Sequence, residues 1–597
     1  MRLLRLLLPL LLLLPLAPAP AAAEERPGQA PPTGSMEAVI RRFAADEDSL
    51  RRFYSEPLSE LRLTRLQRFL AAWRTRLEGL AVEALSTDDQ VDFVLLRNHL
   101  DRRQDALALQ QVRNGETLAL LGGATDLLEL DRRRWRPSKA PDGKRLAAAL
   151  VAVRDRLRTA RALIEKVHGK AEDLPAEVPA LTPVIAFRAA KALDRLDGLL
   201  KDWYVFHDGF DPGFAWWTRK PYDGLRADVK SYAAFLRGRV AGAKKDGGVA
   251  PLIGDPIGRE ALQRALAREM IPYTPEELLA IAESEFAWCE AEGAKAAAAI
   301  GAKDWAAIVE HVKGRHKAPG EQAAMVVAQA EEAVRFLEER ELLTIPPLAA
   351  ETWRLRMIGQ RQQKTLPFAV YNNQHMLVAY AMSGMDHESK LMSMRGNNEH
   401  FTRIVTPHEL IPGHHLQLFQ AARHRPYRAL FRTPFLVEGW ALHWEMLMWD
   451  LGWARSAEDR VGMLFWRMHR CARIIVTLRF HLGSMKPAGM IDFLVERVGL
   501  ERDGATSEVR RYIAGAYGPL YQCAYMIGGL QMRALHHDLV GNGTMSNRAF
   551  HDAVLRENSI PIELIRAALT GQDLKRDHAA SWRWRGDVKT SGAARPR

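Results

Sequence analysis

The 597-residue chain has only three cysteines, Cys289, Cys471 and Cys523, far apart and without CxxC spacing. That scarcity excludes a disulfide framework and a thiolate metal site, leaving room for one bridge at most. Strand signals are scarce too, with Phe368–Tyr371 and Met376–Met382 the best short candidates. No internal repeat is found. Even the apolar opening, MRLLRLLLPLLLLLPLAPAPAAAEE, falls short of the ~20 residues a membrane span needs, and Pro9 and Pro15 interrupt it. Arg2 and Arg5 precede the run and Ala21–Ala23 close it, the pattern of a secretory signal peptide over residues 1–23. The expected mature chain is exported, periplasmic or secreted, and has no transmembrane anchor.

The formal charge is +12, or +10 without Arg2 and Arg5. A basic balance attracts nucleic acid, acidic surfaces or carboxylate-bearing substrates. Export argues against nucleic acid, and the arginines are spread along helical patterns as solvated faces.

What the chain does have is helical periodicity. Thr274-Pro275-Glu276-Glu277 offers a capping hydroxyl, a proline at the first helical position and a glutamate three residues past the cap. Thr182-Pro183 and Ser86 with Asp89 repeat parts of that device. The fold class expected is mainly α: a long helical array with a small β element just upstream of the candidate site. Residues 24–36 read as a flexible leader and 37–250 as an N-terminal helical subdomain. After a break in GGVAPLIGDPIG, residues 251–576 read as the catalytic subdomain and 577–597 as a flexible tail. Trp216, Trp217, Trp440 and Trp444 are expected as core or channel-wall aromatics.

The chemistry centres on His408-Glu409-Leu410-Ile411-Pro412-Gly413-His414. In the zinc-peptidase motif HExxH, two histidines one turn apart share a metal and the glutamate faces the attacking water. Here the second histidine stands at i+6, rotated by about 120° on a regular helix and unable to share the ion. Pro412-Gly413 supplies an interruption, since proline breaks the helical hydrogen bond and glycine accepts unusual backbone angles. Looping out two residues returns His414 to the i+4 place. The competitor, His415, faces the same way as His408 but lies ~10.5 Å along the axis.

Glu438 provides a check. It follows His414 by 24 residues, the interval usual for the third ligand in the class with HExxH and a distant glutamate, and follows His408 by 30, a surplus equal to the insertion. Two imidazoles and one carboxylate make a borderline N/O set suited to one Zn2+ per chain. Glu409 is then the general base, and Glu445, i+7 from Glu438, a carboxylate partner for a ligand histidine.

These residues resemble the bacterial family called domain of unknown function 885, whose hallmark looks like HExxPGHHLQ followed by EGWALYxE. The chain has His408 to Gln417 in the first pattern and Glu438 to Glu445 in the second. The similarity extends from LSTDDQVDFVLLRNHL, beginning at Leu85, to FHDAVLRENSIPIELI, beginning at Phe550. The resemblance implies an all-helical, deep-channelled metallopeptidase scaffold, similar to angiotensin-converting enzyme and neurolysin. It also implies an oxyanion-binding role for Tyr525, and Arg473 and His481 match family-like positions. His415, Glu445, Arg473 and His481 are accordingly candidates for supporting a ligand or touching substrate. His443 and Thr477 depart from the family's tyrosine and aspartate, and Leu520-Tyr521 replace its Gly-Gln.

The expected function is zinc-dependent hydrolysis of peptide bonds in oligopeptides in the cell envelope. Two alternatives stay open: a non-catalytic helical envelope-binding protein with a metal site, and a metal-dependent amidase acting on a non-peptide substrate.

Overall fold

The computed structural model describes residues 35–134, 141–168, 181–209, 211–243, 252–363, 366, 368–515, 517–586 and 588. The expected signal peptide and residues 24–34 of the leader lie outside the described residues. Among those described, 23 α-helices stand against one three-stranded sheet, so the fold is mainly α with a small β element. No described helix is long and apolar enough to cross a membrane.

The capping signals act as the sequence implies. Thr274 Oγ1 accepts from the Glu277 amide while the Glu277 carboxylate accepts from the Thr274 amide, starting helix Pro275–Ala299. Thr182 and Ser86 cap helices Pro183–Asp208 and Thr87–Leu118 by accepting from Ile185 and Asp89 amides.

Two cores are buried. The larger joins residues 36–107 to 262–574, and the smaller lies wholly within 120–241. Helix Thr87–Leu118 links them, with Leu107 in the first core and Leu118 packed on the second. The chain therefore crosses between cores twice, once along this helix and once near the GGVAPLIGDPIG break. The opening helices share the core of the candidate site instead of forming a unit with 120–241, because their apolar faces close against residues beyond 262. The start of the expected tail is packed as well. Arg583 donates to the Pro272 carbonyl and pairs with Glu277, and Trp584 packs edge-on against Tyr273. Trp440 and Trp444 are fully buried, but Trp216 and Trp217 are 83% and 47% exposed, on an outer face of the smaller body.

The sheet runs β1 (Arg354–Ile358), β3 (His375–Ala379), β2 (Ala369–Asn372), with β1 parallel and β2 antiparallel to β3. The β2–β3 connection is the two-residue turn Asn373-Gln374, both at positive φ, which matches the twist of a tight hairpin. β1, with exposed arginines alternating along it, lacked a strand signal.

Candidate metal centre

The histidine helix (Glu399–Glu409) ends one residue after His408, and the next helix begins at His414. Leu410 to Gly413 are looped out between them. The Gly413 amide donates back to the Pro407 carbonyl at 2.9 Å, and the Leu416 amide to Leu410 at 3.3 Å. A Cβ at position 413 would sit 1.8 Å from the His408 carbonyl oxygen, so the loop closes only around glycine. Trp440 Nε1 fastens it by donating to the Pro412 carbonyl at 2.8 Å.

This interruption brings the His408 and His414 rings to a 4.8 Å centroid separation, nearly perpendicular. Glu438 joins them from the glutamate helix (Pro434–Asp450), its Oε2 3.2 Å from His414 Nε2 and 3.8 Å from His408 Nε2. The three ligand atoms lie within 4.8 Å of one another, and all three residues are buried. Ligands at zinc-like bond lengths of ~2.1 Å in a tetrahedron stand roughly 3.4 Å apart, so the spacing fits one ion. Glu438 Oε2 is buried without a hydrogen-bond partner, which is costly for a carboxylate oxygen unless a cation meets it.

The surrounding groups orient this set. Glu445 Oε1 lies 2.7 Å from His408 Nδ1, which keeps the proton there and leaves Nε2 for a metal. The Tyr521 hydroxyl donates to Glu438 Oε1, turning Oε2 toward the imidazoles. His414 Nδ1 has no such partner. Burial pulls the His408 imidazolium down, but Glu438 and Glu445 more than reverse this, to about 9. Burial pushes Glu438 up, and His414 and His408 take it well below the usual carboxylate range. The pocket's field thus favours positive charge between these groups.

Glu409 lines the same cleft, and its Oε2 accepts from the Tyr371 amide of β2 at 2.8 Å. His415 turns away from the ligand set. Its Nε2 lies 2.8 Å from the Ala349 carbonyl and its Nδ1 3.1 Å from the Tyr371 hydroxyl, tying the hairpin to the back of the site.

Tyr525, on the tyrosine helix (Tyr521–His536), stacks nearly parallel to His408 at 6.3 Å. Burial, then Glu438, push its hydroxyl up to about 12, so it stays a proton donor at neutral pH. This helix sits tightly on the glutamate helix: a Cβ on Gly439 would meet Gly528 backbone at 2.5 Å, and one on Gly528 the Phe435 carbonyl oxygen at 1.9 Å. Arg473, on the arginine helix (Ala457–His481), lines the cleft, but His481 does not. His481 lies by Pro519 at the far end of its helix, and burial lowers it to about 4. The cleft holds about 160 Å³ and adjoins larger cavities of about 520 and 510 Å³, bordered in common at Tyr521 and at Phe368.

The model of the family described as "Bacterial protein of unknown function (DUF885)" matches residues 49–569. The chain belongs to DUF885. Two solved structures resemble this DUF885 protein in fold. A candidate lipoprotein of unknown function from Shewanella oneidensis aligns at TM-score 0.65 and 18% identity, covering 90% of this chain and 100% of its own. A candidate lipoprotein from Colwellia psychrerythraea aligns at 0.56 and 15%, covering 90% and 99%. No match was found among curated proteins.

Sequence reasoning missed several residues of the candidate site. Tyr521 stood out only as a departure from the family pattern, although it lies one turn before Tyr525 on the same helical face. Arg470 lies one turn before Arg473 and reaches Glu445 at 3.3 Å. Tyr371 was read only as the end of a short strand, since its bonds to Glu409 and His415 come from a hairpin docking across the cleft.

Proposed function

We propose that this DUF885 protein is a zinc peptidase that hydrolyses peptide bonds in oligopeptides, using Glu409 as general base. The observation that carries this reading is the convergence of His408, His414 and Glu438, with an unpartnered carboxylate oxygen aimed at the imidazoles and Glu409 on the same cleft. A purely structural site would have little use for that extra carboxylate.

His408 Nε2, His414 Nε2 and Glu438 Oε2 would hold the ion. When bound, zinc supplies Lewis acidity, lowering the pKa of water toward ~7 and polarising the substrate carbonyl. Glu409, fixed by the Tyr371 amide, takes a proton from water as its oxygen attacks the carbonyl carbon. The Tyr525 hydroxyl donates to the oxygen that gains charge. As the C–N bond breaks, Glu409 returns its proton to the leaving amine. Glu445 and Tyr521 hold His408 and Glu438 in register throughout.

An envelope location is part of the proposal. The signal-like opening supports it, and so do the structural relatives described as candidate lipoproteins.

Glu409→Gln should keep one zinc per chain by elemental analysis and lose on the order of 10²–10⁴-fold in turnover of a mixed peptide library. Retained turnover would remove Glu409 from its role. Zinc-loaded wild-type protein that cleaves nothing in the library would point instead to a binding protein.

A further inference from the structure

We propose that the central cleft contains a carboxylate-binding subsite formed by Arg470, Arg473 and Arg511, so that its substrates carry a free carboxylate within about three residues of the cleaved bond. The assignment of a cleaved bond rests on the peptidase reading. The subsite itself rests on charge and hydrogen-bond accounting around the three guanidiniums.

All three line the central cleft and neither of the flanking cavities. Arg470 and Arg473 are each only 4% exposed. Two carboxylates face the trio. Glu508 accepts from Arg473 at 2.9 Å, from Arg511 at 2.9 and 2.7 Å, and from the Tyr512 hydroxyl at 2.7 Å. Glu445 touches Arg470 at 3.3 Å while also serving His408 at 2.7 Å. Three cations therefore share two carboxylates, each of which also has an imidazole beside it, His408 at 2.7 Å from Glu445 and His469 at 3.8 Å from Glu508. Arg470 Nε, Arg473 Nη1 and Arg511 Nε are buried without any acceptor.

Unpaired N–H groups on buried guanidiniums are expensive, and a carboxylate is the acceptor whose geometry and charge suit them. The wall is also close to the chemistry. Arg473 Cζ lies 4.5 Å and Arg470 Cζ 5.1 Å from the Tyr525 ring centroid, and that ring stacks on His408 at 6.3 Å. At ~3.4 Å per extended residue, a carboxylate held there belongs to the substrate's own short reach from the bond. It is either a terminal α-carboxylate or an acidic side chain.

The test is calorimetric titration of wild-type protein, zinc-loaded and metal-free, with three probes. These are acetyl-Phe-Ala, its C-terminal amide, and acetyl-Phe-Glu-amide, whose only carboxylate is on the side chain. At least one carboxylate probe should bind ~10-fold or more tightly than acetyl-Phe-Ala-amide in both metal states. Which one gains identifies the source. Arg473→Gln should erase the difference and Arg511→Gln should reduce it. Should Arg473→Gln not fold, as judged by circular dichroism, the partly exposed Arg511→Gln carries the decision. Equal binding of all three probes overturns the subsite. So does a preference that vanishes without zinc, or one that survives the arginine substitutions. Carboxylate preference without peptide turnover would instead sink the peptidase reading and leave the subsite standing.

Discussion

The two helical bodies of this chain bury different chemistry. Among the described residues of 120–241, tyrosines aside, His207 and Thr218 are the buried polar side chains. By contrast, the stretch from the histidine helix to the arginine helix buries Arg403, His408, Glu409, His414, Glu438, Glu445, Arg470 and Arg473. Buried charge costs several kcal/mol per ion unless it is paired or meets a ligand. The smaller body is therefore an almost wholly apolar packing unit, and the larger one holds buried charge that has to be paired or met by a ligand.

That contrast can be broken most directly at His414. His414→Ala should abolish stoichiometric zinc binding, read by elemental analysis, and turnover with it; full occupancy in the variant would show that the ligand set lies elsewhere. Leu196, fully buried in the smaller core, tests the other side. Leu196→Ala should cost ~2–5 kcal/mol of stability in denaturant unfolding through cavity creation. Below its melting temperature it should leave zinc content and kcat/KM unchanged. A fall in kcat/KM would show that the scaffold body reaches the site. The finest test is Glu445→Gln, which weakens the hold on His408 Nδ1 and should lower zinc affinity by about 10–100-fold in competition with a chelator. An unchanged affinity would mean that Glu445 serves Arg470 alone.

Much of this arrangement was legible in the chain, for local reasons. Pro412-Gly413 is a break written in two adjacent residues, and the intervals from His408 and His414 to Glu438 need only counting. Helix caps are equally local, which is why Thr274, Thr182 and Ser86 start helices as read. What escaped depends on which turn of one helix faces which turn of another. Tyr521 meets Glu438 across 83 residues of sequence and Arg473 meets Glu508 across 35. Periodicity gives a buried face to each helix but not its opposite number. β1 was missed because it is only five residues long and buries only Ile358, so Arg354-Leu355-Arg356-Met357 is too short and too exposed an alternation to stand out. Residues 577–586 were read as unpacked because their anchors, Tyr273, Pro272 and Glu277, lie some 300 residues away. The same blindness placed Trp216 and Trp217 in the interior, since tryptophan content says nothing about which surface covers it.

The contact between Gly439 and Gly528 has a mechanical meaning. With backbone against backbone, the glutamate and tyrosine helices have no side-chain cushion over which to slide or roll. Glu438, Tyr521 and Tyr525 consequently travel as one stiff jaw. The β2–β3 hairpin lines the same cleft through Ala369, Val370 and Tyr371. Its attachments near the ligands are the Tyr371 bonds to Glu409 and His415. A displacement of the hairpin would therefore act on Glu409 and His415, while Glu438 stays tied to the tyrosine helix through Tyr521.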